Sequence, residues 1–145
     1  MAEASAGVCE AVAGGEALVA LTDAEGGVVW SSAASPASTL ARAFYAGELD
    51  GLGEGLVLNS DQAGICVALV ASRAGFAACH ARRMSEPGLA TFEAHGIPVT
   101  YEELIPLVRS SKNEAVVCPI EAGLNECPNE DARWEFMRGR FGTGA

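Results

Sequence analysis

The chain is poor in positive charge. Nine of its 145 residues are Lys or Arg, against 19 Asp and Glu, and Lys112 is the single lysine. The formal charge of −10 repels a nucleic-acid backbone and an anionic membrane surface alike, which excludes both as main partners. No run of about 18 apolar residues is free of charges, so no transmembrane helix is expected. Met1 to Glu10 holds two glutamates and no basic residue, whereas a signal peptide needs a positive n-region. The expectation is a cytoplasmic protein. No C-x-x-C pair occurs among Cys9, Cys66, Cys79, Cys118 and Cys127. Structural zinc sites draw ligands from such pairs, and an odd, irregularly spaced set does not fit a disulfide framework. Cys66 and Cys79 sit in apolar runs and read as buried reduced thiols.

Half of the residues are hydrophobic, enough at this length for one buried core. Met1 to Gly15, small and aperiodic, reads as a flexible leader, and residues 16–145 as one domain. Ala17 to Thr22 and Val28 to Trp30 read as strands joined by the turn chemistry of Asp23 to Gly27. Ser35-Pro36 starts a helix, with Leu40, Ala41, Phe44 and Tyr45 at helical spacing. Gly47 to Gly55 is a loop and Leu56 to Leu58 a short apolar run. Asn59-Ser60-Asp61 reads as a cluster of helix caps before Ile65 to Ala71, a helix apolar all round and hence central; Gly75 closes it. Phe76 to Ala81 fits a strand, Ser85-Glu86-Pro87 caps another helix, and Gly96 ends it. Ile97 to Thr100 fits a strand, Tyr101 to Val108 a short helix or a 3₁₀ turn strained by Pro106, and Ala115 to Cys118 a last strand or an extended entry. Pro119 to Leu124 is a helical turn, and Asn129 caps a final helix carrying Trp134, Phe136 and Met137. The order implies an α/β sandwich with a mixed sheet and helices on both faces. The strand–helix–strand unit from Phe76 to Thr100 is its clearest crossover.

Several short stretches recur in a familiar order. They are Asp61-Gln62-Ala63-Gly64 before an Ala-rich helix, Met84-Ser85-Glu86-Pro87, Gly96-Ile97, Tyr101-Glu102-Glu103-Leu104-Ile105-Pro106 and Cys118-Pro119-Ile120-Glu121. In this the chain resembles an uncharacterised prokaryotic family of small proteins with a cytidine-deaminase-like fold, known as a domain of unknown function. The resemblance implies a three-layer α/β/α sandwich. In the wider deaminase superfamily a His and two Cys hold zinc, and a Glu shuttles protons. Carried over residue by residue, Asp61 stands where the ligand His would be and Ala63 where the Glu would be. Gly88 and Thr91 stand at the two Cys positions. A catalytic zinc needs about three protein ligands, so the resemblance implies the fold without metal, cofactor or zinc-dependent deamination. Cys79 and His80, as strand neighbours, point to opposite faces and make a poor ligand pair.

Candidate site residues follow from both readings. Ser60, Asp61 and Gly64 precede one helix, and Ser85, Glu86 and Gly88 open the next. All six are cap or small residues, and all six are candidates for a ligand pocket where two helix N-termini converge. Cys118 with Glu121 is the sharpest local motif. A thiol at a helix start can become nucleophilic, which makes Cys118 the expected most reactive thiol; as plain structure it is a buried Cys beside a capping Glu. Arg82-Arg83 could ion-pair or reach a phosphate, and His95 sits at a helix end. The leading functional expectation is a binding or regulatory protein for a small nucleotide-like ligand. The alternative is an enzyme of unassigned reaction using Cys118 with Glu121 or Asp61. The third is a homo-oligomeric scaffold without ligand.

Overall fold

The computed structural model describes residues 8–110 and 112–142. Residues 1–7 of the expected leader lie outside the described residues. The remainder includes a one-turn helix α1 (Glu10–Ala13) whose Val12 is buried against Ala17 and Ala20. Strands β1 (Val19–Thr22) and β2 (Val28–Ser32) form the expected antiparallel hairpin. Asp23 closes its turn by accepting the Glu25 and Gly27 N–H groups at 3.0 and 2.8 Å, while Gly26 takes the positive φ of 88° that the turn requires. Helix α2 (Pro36–Tyr45) follows, with Leu40, Ala41 and Ala43 on its buried side.

The next segment corrects the sequence reading. Asn59, Ser60 and Asp61 are not helix caps; they lie within strand β3 (Val57–Ala63), and the helix behind it, α3 (Ile65–Ala74), is capped at Gly64. Buried polar side chains are tolerated in a strand when each finds partners. Asn59 accepts the Cys9 N–H at 2.9 Å and donates to Thr22 Oγ1 at 3.2 Å. Ser60 donates to the Gln62 carbonyl. Gln62 holds the backbone of Arg109 from both sides, at 2.7 and 3.1 Å.

Helix α3 is buried from Ile65 to Ala71, as its all-round apolar surface predicts. Each of its large aliphatic side chains contributes about 1.5–3 kcal/mol by leaving water. Gly75 ends it in the left-handed conformation, φ 78°. Strand β4 (Ala78–Ser85), helix α4 (Glu86–Ala94) and strand β5 (Val99–Ile105) complete a second crossover. The expected helix from Tyr101 is in fact β5. Its β-formers Val99, Thr100 and Tyr101 open the strand, and it pairs along β4 in register, Ala81 opposite Tyr101 and Met84 opposite Leu104. The expected strand at Ala115 to Cys118 is a turn with a single bridge, Arg109 to Val117. Helices α5 (Pro119–Asn125) and α6 (Glu130–Phe141) end the chain, α6 capped by Asn129 as expected.

The sheet order is β2-β1-β3-β4-β5, with β1 antiparallel to both its neighbours and β3, β4 and β5 parallel. This is the mixed sheet of an α/β protein. Its outer layers are unequal. Helices α2 to α6 share one core on one face, whereas among the described residues the other face carries only α1. No described helix is long and apolar enough to cross a membrane.

Candidate functional site

Gly64 has no side chain with which to cap α3. The first N–H of that helix, Ile65, instead donates to Oε1 of Glu121 at 2.9 Å, 56 residues further along. Oε2 of the same carboxylate accepts the Val108 N–H at 3.4 Å. Glu121 is 2% exposed, so its carboxyl oxygens are satisfied by backbone N–H groups, one of them at the α3 N-terminus, rather than by water. Cys118 caps α5 one turn before it and is buried. Its N–H donates to the Val108 carbonyl at 2.8 Å. Glu121 thus ties α3, α5 and the segment at Val108 into one corner.

That corner bounds a narrow cavity lined by Gln62, Gly64, Cys66, Arg109, Cys118 and Glu121, with Ser35 to Ala37 on its opposite wall. It measures about 370 Å³ to its mouth, but only about 20 Å³ is open to the centre of a water molecule. It lies beyond the carboxyl end of β3, the edge at which open α/β sheets take ligands. Burial pushes the Cys66 thiol well above its ordinary range, and the neighbouring Cys118 and Glu121 add to the rise.

Helix α4 starts beside α3. Ser85 is both the last residue of β4 and the N-cap of α4, its Oγ accepting the Gly88 N–H at 3.0 Å. A Cβ on Gly88 would lie 2.6 Å from Gly64 Cα, and one on Gly64 would lie 2.5 Å from Glu121 Oε1. The two helix starts therefore touch through their glycines.

The candidate residues divide. Gly64, Cys118 and Glu121 line the cavity. Ser85 and Gly88 lie behind Gly64, in its packing rather than in the cavity wall. Ser60 is fully buried in β3, and Glu86 is exposed on α4. Asp61 belongs to a different place, an open groove with Arg82, Arg83, Glu102 and Glu103. It pairs with Arg83 at 3.0 Å and Arg82 at 3.8 Å. Arg83 also forms a two-pronged bond to Glu114, 3.0 Å on each arm, and these bonds hold the Glu114 carboxyl below its ordinary range. Gln62, Cys66, Val108 and Arg109 belong to the cavity and were not singled out as site residues. Only the position of Gln62 inside the Asp61 to Gly64 motif could have pointed to it.

The positions that the deaminase resemblance assigns to zinc do not fit the metal. Asp61 is committed to two arginines, Ala63 is fully buried in β3, and Gly88 and Thr91 offer no thiolate. No metal-holding group of three His, Cys, Asp or Glu occurs among the described residues.

Fold and cavity together define a small α/β domain with a mixed five-stranded sheet and a narrow cleft at a helix start, its mainly apolar wall broken by a few polar groups. The chain belongs to the family of the domain of unknown function DUF1893, whose family model matches residues 16–141. It is similar to a DUF1893 family protein from Thermotoga maritima known by crystal structure. The two are 19% identical, with a TM-score of 0.72 over 88% of this chain and 84% of that one. No curated protein matches the chain.

Proposed function

We propose that the protein is a deaminase-like domain without zinc machinery that binds a small nucleotide-like molecule in a sensing or regulatory role. The observation that carries this reading is the cavity beyond the end of β3, walled by Gln62, Arg109, Cys118 and Glu121. Its inner space admits a functional group rather than a ring, so the body of a ligand rests at the mouth. The nucleotide-like class comes from the deaminase resemblance. The enzyme reading fares less well, because Glu121 is committed to the Ile65 and Val108 N–H groups and not to the Cys118 thiol. Native mass spectrometry of the purified protein tests the proposal. A retained small molecule, or one taken up from a panel of nucleosides and nucleotides, is expected for the native chain and lost in Ala37→Leu, which fills the mouth. An empty protein that takes up none of the panel overturns it.

A second reading, a homo-oligomeric scaffold, has one observation in its favour. Strand β5 is a sheet edge with Tyr101 38% and Leu104 44% exposed. Sedimentation of the native chain and of Leu104→Lys decides it: an oligomer lost in the variant supports the scaffold, and a monomeric native chain ends it.

A further inference from the structure

A protein with 19 acids and nine bases should leave few cations without a carboxylate. Arg82, Arg83 and Arg138 are ion-paired. Arg73 stacks on Trp134 with its guanidinium 3.9 Å from the ring centroid, and Arg133 donates to the Leu124 carbonyl. Among the described residues Arg42, Arg73, Arg109, Lys112, Arg133 and Arg140 have no ion pair; Arg42 lies 5.8 Å from the Phe141 ring centroid, and Arg42, Arg109 and Lys112 gather in one region. Arg109 lines the narrow cavity. Arg42 and Lys112 line an open concavity on its far side, together with Trp30, Ser38 and Thr39. Ser35 lines both hollows, which therefore meet there.

We infer that this outer concavity, of about 600 Å³, is a second subsite that takes an aromatic organic anion. The half-buried Trp30 offers a ring face to a planar group. Arg42 and Lys112 supply the counter-charge that the rest of this acidic surface withholds. Ser38 and Thr39 add hydroxyl donors. Gln62 fixes the backbone of Arg109 at 2.7 and 3.1 Å, so the segment bearing that cation is docked rather than free. Glu48 is the one carboxylate on the wall, and it opposes the anion. The inference rests on the cavity reading in one respect: the neutral end of the ligand points past Ser35 toward Glu121.

The two tryptophans of the chain make the test internal, since Trp30 lines the concavity and Trp134 is buried 7% exposed elsewhere. Their indole N–H signals are followed by NMR while phenyl phosphate, benzoate or neutral benzyl alcohol is added at millimolar concentration. Saturable movement of the Trp30 signal with an anion, and not of Trp134, is expected. Phosphate over carboxylate, or the reverse, names the head group. Arg42→Gln and Lys112→Gln should each weaken binding about fivefold and Glu48→Gln should tighten it about as much, with added salt reducing all three effects. These exposed positions leave the core untouched. If benzyl alcohol moves Trp30 as well as the anions do, and the charge variants change nothing, the anion inference falls while the cavity reading stands. If no compound moves Trp30, the inference falls alone, because the native mass spectrometry above reads the cavity independently.

Discussion

Glu121 caps α3 at Ile65 and also holds the Val108 N–H, and its removal leaves two buried N–H groups without an acceptor. Each such orphan costs about 1–3 kcal/mol. Glu121→Ala is therefore expected to lower stability by about 2–4 kcal/mol, and Glu121→Gln, which keeps one acceptor oxygen, by about half as much. Urea unfolding measures both. The thiols follow burial rather than sequence motif. Cys118 is 7% exposed, so its expected place as the most reactive thiol gives way to access. Cys9 and Cys127, the partly exposed pair, should alkylate first and Cys118 after them. Cys66 and Cys79, whose thiols burial pushes far above the ordinary range, should react only on unfolding. Mass spectrometry of the native protein during alkylation reads that order. His80 carries a pH dependence. Burial holds its imidazole below the ordinary 6.5, and Nδ1 lies 2.6 Å from Thr100 Oγ1. The folded chain binds the proton less readily than the unfolded one. The contribution is full above the unfolded value and is lost as pH falls through the folded value. Between pH of about 7 and about 5 the native chain should lose more stability than His80→Gln does, and denaturation at the two pH values compares them.

At the scale of elements, the contact of α3 and α4 turns on two glycines. A Cβ at Gly88 meets backbone, Gly64 Cα at 2.6 Å, whereas a Cβ at Gly64 meets the side chains of Glu121 and Val108. Side chains shift more cheaply than backbone does. Gly88→Ala should therefore cost more than Gly64→Ala, the latter about 1–3 kcal/mol, and thermal melts rank the two. The same elements show what was legible in the chain. The hairpin at Asp23, the all-apolar α3, the Ser85 cap and the Asn129 cap were each announced by local chemistry. Strand β3 was not, because Asn59, Ser60 and Asp61 are cap types, and the partners of Asn59 and Asp61 that hold them in the strand lie 22 to 50 residues away in sequence. Strand β5 was hidden by Pro106, which reads as a helix strained by proline but in fact follows the strand. Of the site, Cys118 and Glu121 were visible as a motif. The cap that Glu121 gives to α3 was not, since no local pattern links it to Ile65.

For the whole molecule, the separation of charge matters more than its sum. Arg83 is spent on Asp61 and Glu114, and Arg82 on Asp61 and Glu102, so the groove where the motif placed a ligand has no unpaired cation and more carboxylates than arginines. Arg42, Arg109 and Lys112, which have no ion pair among the described residues, lie instead around the hollow at Ser35. One face of the sheet holds the full core and, among the described residues, the other is thinly covered by α1; the cavity beyond β3 lies on the well-packed side. The most direct test of its role is amide NMR of the native chain, titrated with the nucleoside and nucleotide panel. Saturable shifts centred on Ile65, Val108, Arg109 and the Gln62 side chain are the expected result. Shifts centred on Asp61 and Arg83, or none with any compound, contradict it.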